Sequence, residues 1–182
     1  MKIRWYKITI ILFVLTASLS TLHAQEELKP RPSPLAMVTM KYQDTYVKIT
    51  DGRPHKKGRE IFGSLVPYGK VWRTGANEAT EITVTNDILI GGDTLKANTY
   101  TLFSIPNKDK WTIMFNKDIS QWGAYNYNEK SDVIRIEVPT EEVKKVVWEP
   151  FTIQMDQRNS VAEILMMWDR TMVRIPVTFI DH

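Results

Sequence analysis

The chain has 182 residues, no cysteine, and 24 Lys and Arg against 21 Asp and Glu, a formal charge of +3. Three of the positive charges and none of the negative ones fall within residues 1–24, so the rest of the chain carries 21 charges of each sign and no net charge. A nucleic-acid-binding domain needs a basic imbalance on its folded part. This class is therefore disfavoured, and the lack of cysteine excludes disulfides, iron–sulfur clusters, cysteine zinc sites and thiol nucleophiles.

Residues 1–24 have the three parts of an export signal. A basic segment precedes an apolar run over residues 8–15, and small and polar residues then lead to a cleavage site at Ala24. The alternative is an uncleaved membrane anchor, but the run is shorter than the roughly 20 residues of a spanning helix. We expect cleavage near Ala24 and a periplasmic or secreted mature chain with no membrane span. The residues that make the first segment of this signal basic are Lys2, Arg4 and Lys7.

Residues 25–36 are expected to form a proline-rich N-terminal arm. Its alternating prolines favour a polyproline II conformation and supply no backbone donors for a sheet. From Met37 onward, apolar residues recur at every second position, which is typical of strands with one buried face. The alternating sets are Val38/Met40/Tyr42, Val47/Ile49, Ile82/Val84, Tyr100/Leu102, Trp111/Ile113/Phe115, Ile134/Ile136/Val138, Phe151/Ile153/Met155 and Val173/Ile175/Val177/Phe179.

Turn sequences separate these runs. Gly91-Gly92-Asp93 predicts a hairpin because glycine accepts a positive φ, and Asn107-Lys108-Asp109 predicts a second turn. Short helical turns are conceivable at Arg59–Leu65 and Glu141–Lys145. Nine to ten short strands without a long helix indicate an all-β fold, an antiparallel, jelly-roll-like β-sandwich with little helix. We expect residues 37–182 to form this single domain.

A long polar connection runs between the second and third predicted strands, over residues 51–80. Its five glycines and two prolines suggest a specifically shaped loop, since such long connections are commonly functional. Arg53, Arg59 and Arg73 offer forked donors to a carboxylate or phosphate, with Trp72 as an apolar wall.

The alternative for this connection is structural, and it is the one that the charge pattern favours. Arg73 and Glu78 would form a partly buried ion pair that pins the loop to the rim, while Lys56 and Lys57 are merely solvated. Charge runs on loops usually have no other role.

A second unusual stretch, residues 116–129, places Trp122, Tyr125 and Tyr127 among amides and hydroxyls. Aromatic faces beside amide donors suit a sugar-binding surface. Alternatively, the aromatics cover the end of the core, since large aromatic side chains are mostly buried. The residues alone leave both interpretations open.

Catalytic patterns are weak. No nucleophile-elbow motif is present, and only His55 and His182 remain after cleavage, so a histidine metal cluster is excluded unless carboxylates dominate it. His55 lacks an evident orienting acid. Glu78 and Glu81 resemble a glycosidase pair, but at a spacing of three they point to opposite faces of a strand. We therefore expect no metal and no cofactor.

Several segments together resemble a known family. Coverage is nearly the whole mature chain, and the segment Trp72–Thr80 is the most specific. The resemblance is to the secreted family catalogued as domain of unknown function 2911, typical of Bacteroidota. It implies an exported β-sandwich and supplies no activity. The matching segments are Arg53-Pro54, Lys57–Arg59, Ile61–Gly63, Leu65–Gly69, Trp72–Thr80, Thr99–Phe103, Asn116–Asp118 and Gln121–Tyr125.

The sequence thus predicts a protein that binds a carbohydrate or another small polar or anionic ligand where the two unusual loops approach each other. The alternatives are a hydrolase that uses Glu78 or His55 as its acid–base group, and an envelope protein-interaction module. The predicted ligand-binding residues are Arg53, Arg59, Trp72, Arg73, Asn77, Glu78, Trp122 and Tyr125.

Overall fold

A computed structural model describes residues 29–181. Residues 31–181 form one compact unit. The predicted signal peptide, its cleavage site and the first four residues of the arm lie outside the described residues. Within residues 29–181, no helix is long and apolar enough to cross a membrane.

The described chain is built from antiparallel strands. Its helical content is a single 3-10 turn at Glu129–Ser131, within residues 29–181. The strands are β1 (Leu35–Tyr42), β2 (Thr45–Gly52), β3 (Thr80–Val84), β4 (Ile88–Ile90), β5 (Asp93–Leu95), β6 (Asn98–Ile105), β7 (Lys110–Asn116), β8 (Asp132–Glu142), β9 (Trp148–Arg158), β10 (Val161–Asp169) and β11 (Thr171–Phe179).

The eleven strands form one sheet in the order β1-β2-β3-β6-β7-β8-β11-β10-β9, and the β4–β5 hairpin joins it through β11. The sheet curls until its two end strands, β1 and β9, contact each other. The chain that follows β2 also reaches β9, because the Phe151 N–H donates to Pro54 O (2.8 Å) and the Lys56 N–H donates to Glu149 O (2.7 Å). The result is a nearly closed barrel.

The all-β, antiparallel prediction with little helix is confirmed. The predicted β-sandwich, which would have two sheets, differs from the structure in this detail, because the strands form one continuous curled sheet. A period of two shows which face of each strand is buried, but not whether neighbouring strands share a sheet. The two conceivable helical turns are absent: Glu141 and Glu142 pair with β11, and Arg59–Leu65 contains only turns and an isolated bridge.

Both predicted turns are confirmed. Gly91 and Gly92, with φ of 60° and 99°, join β4 to β5. Asn107–Asp109 joins β6 to β7. At the Gly91–Gly92 turn, the φ values explain the glycines, since other side chains rarely adopt them.

An aromatic cluster forms part of the barrel core. Trp72 and Trp168 stack with ring centroids 6.0 Å apart, and Phe62 meets Trp111 edge to face at 4.9 Å. The fifth ring is Phe151, 5.1 Å from Trp72. Such pairs add about 0.5–1.5 kcal/mol each to the burial of their area. Trp72 and Phe62 come from the chain between β2 and β3, so this connection forms part of the core.

Candidate functional site

Trp72 fixes the long connection to the barrel. Its N–H donates to Ser104 O (2.7 Å), and its carbonyl accepts from the Ser104 N–H (3.0 Å). The indole is buried, and its Nε1 donates to Gly75 O (3.1 Å). The connection therefore follows β6 at this point and places its aromatic side chain inside the barrel.

The next residues form a tight turn with backbone strain. Thr74 is fully buried and has a φ of 56°, a value that β-branched residues rarely adopt. Such a conformation costs on the order of 1–3 kcal/mol and persists only where surrounding contacts enforce it. Here the Thr80 hydroxyl donates to Thr74 O (2.6 Å), and the hydroxyls of Thr74 and Ser104 lie 2.9 Å apart.

A close backbone approach holds the other side of this turn. The Ala76 N–H donates to Gly52 O at 3.1 Å. A Cβ atom on Gly52 would lie 2.1 Å from Ala76 O, which is impossible without movement of the backbone. The most specific segment of the sequence, Trp72–Thr80, is therefore a rigid structural unit as well as a source of polar side chains.

A cleft of about 280 Å³ opens beside this turn, and we call it the arginine cleft. Arg59 and Arg73 line it together with Asn77 and the largely buried tryptophans Trp72 and Trp168. Four of the predicted binding residues are thus brought together. The remaining lining residues are Ser33, Pro54, Leu65, Val66, Gly75 and Ala76.

The two arginines of the cleft are held differently. Arg59 donates from Nε to Lys56 O (3.0 Å) and from a terminal nitrogen to His55 O (2.5 Å), which orients its guanidinium. Arg73 is partly buried, and its Nε is buried without a hydrogen-bond partner. Among residues 29–181, no carboxylate forms an ion pair with either guanidinium.

The predicted ion pair between Arg73 and Glu78 is wrong. Both carboxylate oxygens of Glu78 instead accept from Arg31 of the arm, at 2.8 Å each. The backbone between the expected partners turns through left-handed conformations at Thr74 and Asn77, which places Arg73 and Glu78 in different clefts. Hydrogen bonds from its own backbone N–H and from Arg31 lower the pKa of Glu78.

A second cleft, of about 330 Å³, lies on the other side of Glu78, and we call it the Trp122 cleft. The Trp122 side chain is 59% exposed there. Glu81 accepts from the Ser120 N–H at 2.8 Å. The remaining lining residues are Leu35, Thr50, Gly52, Ala79, Ser120 and Gln121.

The two unusual loops of the sequence meet at this cleft. The Ala79 N–H donates to Gln121 O (2.9 Å), and the Gly123 N–H donates to Asn77 O (3.0 Å). The segments pair as an isolated antiparallel bridge between Glu78 and Trp122. The two clefts consequently share one hydrogen-bonded piece of backbone.

The aromatic residues of the second loop divide into two groups. Tyr127 packs edge to face on Phe103, with centroids 5.0 Å apart, and donates to Asp132 (2.5 Å). Burial and this carboxylate raise the pKa of Tyr127 to about 12. Trp122 and Tyr125 remain exposed, Tyr125 by 83%. Tyr127 thus covers a small apolar cluster on the sheet, and Tyr125 lines neither cleft.

Arg53 lies apart from both clefts, at the seam between β2 and β9. It donates to the Asp51 carboxylate (3.2 Å) and to Ile153 O (3.1 Å). His55 is bridged through its backbone to Pro150 at the same seam. Neither residue lines the arginine cleft or the Trp122 cleft.

Asp51 is an ionisable residue that sequence reasoning did not single out. It is 1% exposed, and one of its carboxylate oxygens has no hydrogen-bond partner. Burial raises its pKa to about 6, against the opposing charge of Arg53. The sequence does contain a sign of this burial. Asp51 follows Val47 and Ile49 at alternate positions of β2, and alternate residues of a strand point to the same face, here the interior one.

The part of the chain between residues 29 and 181 holds no group of three or more His, Asp or Glu side chains arranged to bind a metal ion.

Comparison with known protein families gives a match. Residues 33–177 match a family model described as "Protein of unknown function (DUF2911)". The chain belongs to this family. The DUF2911 match begins in the arm, ends within β11 and includes all the residues that line the two clefts. No curated protein and no solved structure shows significant similarity to the chain.

Proposed function

We propose that this DUF2911 chain binds a small anionic ligand in the arginine cleft. The observation that carries the proposal is Arg73, which lines the cleft and forms no ion pair with a carboxylate among residues 29–181, while its buried Nε has no hydrogen-bond partner. Partly buried charges are normally paired, because desolvation without compensation is costly. A bound anion supplies the missing negative charge.

The surroundings of Arg73 support the same chemistry. The backbone carbonyls that hold Arg59 orient its guanidinium before a ligand arrives, which reduces the entropy lost on binding. Guanidinium groups present paired donors that match a carboxylate or a phosphate. Asn77 adds a neutral amide beside them, and Trp72 and Trp168 give the apolar lining typical of small-molecule sites.

The geometry favours binding over the hydrolase alternative. A general acid works best with a pKa raised toward the working pH, whereas the hydrogen bonds at Glu78 lower its pKa. Its carboxylate is also held by Arg31 on both oxygens.

We also propose that the chain acts outside the cytoplasm, as a periplasmic or secreted protein. The support is the basic, apolar and small-residue pattern of residues 1–24. Expression of the full chain with an epitope tag at the C-terminus tests this export. A shortened product in the periplasm or medium is expected, and a full-length product in the cytoplasm would contradict export.

A thermal-shift screen of the mature chain tests the binding proposal. Galacturonic acid, citrate and phosphate serve as anionic probes, and galactose serves as the neutral one. A ligand at 100 times its Kd stabilises the native state by about 2.7 kcal/mol, which raises the Tm of a domain of this size by roughly 5–10 °C.

The variant Arg73→Gln should abolish the shift. The matched control is Arg158→Gln, which removes an exposed arginine at the far end of β9. Equal shifts in Arg73→Gln and the wild-type chain, or no shift with any anion, would contradict the proposal.

A further inference from the structure

The two clefts share one short segment of their linings, residues Ala76–Ala79, which we call the ridge. Ala76 and Asn77 line the arginine cleft, and Glu78 and Ala79 line the Trp122 cleft. Consecutive Cα atoms are about 3.8 Å apart, so the linings of the two clefts adjoin at Asn77 and Glu78.

The ridge itself is fixed by backbone hydrogen bonds on both sides. Ala76 bonds to Gly52, Asn77 to Gly123 and Ala79 to Gln121, at distances of 3.1, 3.0 and 2.9 Å. Its shape is therefore set before a ligand arrives, and a ligand longer than one cleft must cross it.

We propose that the two clefts together bind an acidic oligosaccharide. A carboxylate of the sugar chain lies against Arg59 and Arg73, and a neighbouring sugar ring stacks on Trp122. This inference rests on the proposed function, because it takes the arginine cleft as the anion site and extends the ligand across the ridge.

The chemistry of the Trp122 cleft is that of a sugar site. The indole offers an exposed flat apolar face, which matches the apolar face of a pyranose ring. Around it stand Glu78, Glu81 and Gln121, whose carboxylate and amide groups accept hydrogen bonds from hydroxyls. An aromatic platform with acceptors at its rim orients a polyol more specifically than either feature alone.

The carboxylates at this cleft do not prevent an acidic chain from binding. The charge of Glu78 is paired with Arg31, and Glu81 accepts from the Ser120 backbone N–H. The Arg31 charge offsets that of Glu78, so the net negative charge at this cleft is smaller than its two carboxylates alone would give.

An acidic peptide is the main competitor for such a surface. It would satisfy the two arginines, but it carries no ring of hydroxyl donors for Glu78, Glu81 and Gln121. The observations therefore favour the sugar, and the peptide is an outcome of the test.

Calorimetric titration of the mature chain separates these cases. The probes are galacturonic acid, trigalacturonic acid, the neutral trisaccharide maltotriose and the acidic peptide triglutamate. We expect trigalacturonic acid to bind about tenfold more tightly than galacturonic acid, the gain that one stacking contact near 1.4 kcal/mol provides.

Three variants test which residues supply the tighter binding of the trisaccharide. Trp122→Ala should remove the advantage of the trisaccharide and keep the affinity for galacturonic acid, whereas Arg73→Gln should abolish binding of both. Tyr125→Ala is the matched control, since Tyr125 belongs to the same loop, is more exposed and lines neither cleft. It should leave both affinities unchanged.

The outcomes distinguish the two proposals. If galacturonic acid binds through Arg73 but the trisaccharide is no tighter, the inference is overturned and the anion site stands. If no anionic probe binds, both the anion site and the oligosaccharide site are contradicted. Maltotriose binding as tightly as trigalacturonic acid, or triglutamate showing the same Trp122-dependent gain, would overturn the assignment to an acidic sugar.

Discussion

The buried carboxylate of Asp51 gives the sharpest quantitative prediction. Its side chain faces the barrel interior, with one oxygen bonded to Arg53 and the other without a partner. Burial raises its pKa from 3.8 to about 6. At a pH above 6 the folded protein therefore holds a buried negative charge, which the unfolded chain would expose to water.

The direction in which stability changes with pH follows from proton binding to Asp51. Between pH 4 and 6 the folded state holds a proton on Asp51 that the unfolded state has lost, so the free energy of unfolding falls as the pH rises. The difference between the two pKa values corresponds to roughly 3 kcal/mol at about 1.4 kcal/mol for each unit. This destabilisation is absent well below pH 4 and complete above pH 6.

The variant Asp51→Asn removes the charge and keeps an amide oxygen for the Arg53 donor. Urea unfolding at several pH values between 4 and 8 should show its stability relative to the wild-type chain rising by up to about 3 kcal/mol. Asp44→Asn is the matched control, because it removes an exposed carboxylate in the turn between β1 and β2. A stability difference for Asp51→Asn that stays constant across this pH range would show that the buried charge of Asp51 does not destabilise the fold.

Three further substitutions test the framework of the site. Gly52→Ala forces a Cβ to within 2.1 Å of Ala76 O and should cost at least about 1–3 kcal/mol of unfolding free energy; wild-type stability in urea would contradict this contact. Arg31→Ala breaks a half-exposed ion pair with Glu78 and should cost less than about 1 kcal/mol, so a larger loss that persists in 1 M salt would show a structural role for the arm. Tyr127→Phe should remove the phenol that titrates near pH 12, and an unchanged ultraviolet titration curve at high pH would count against that assignment.

The periodicity of the sequence was sufficient for the strands and insufficient for their assembly. Alternation such as Val47 and Ile49 reports burial of one face, and this is true of a sandwich and of a barrel alike. The closure depends on the Pro54–Lys56 segment pairing with β9, and no local pattern predicts a contact about a hundred residues away.

The candidate site was partly predictable for a simple reason. Arg59, Trp72, Arg73 and Asn77 lie in one connection, so their proximity required only that the connection fold back on itself. The error at Glu78 arose because left-handed backbone at Thr74 is rare for a β-branched residue, so the reversal of the chain there could not be inferred from the residue type. The Arg31 partner of Glu78 lies 47 positions earlier in the chain, beyond the reach of any spacing argument.

The central claim is that Arg73 is the anion-binding group, and nuclear magnetic resonance of the arginine side chains tests it most directly. The Nε–H signal of Arg73, assigned by its disappearance in Arg73→Gln, is followed while galacturonic acid is added. We expect a saturable shift of this signal, with Arg158 unchanged, since a negative charge enters beside a guanidinium that has no paired carboxylate among residues 29–181. An Arg73 signal that stays in place through saturating carboxylate would show that Arg73 does not bind the anion.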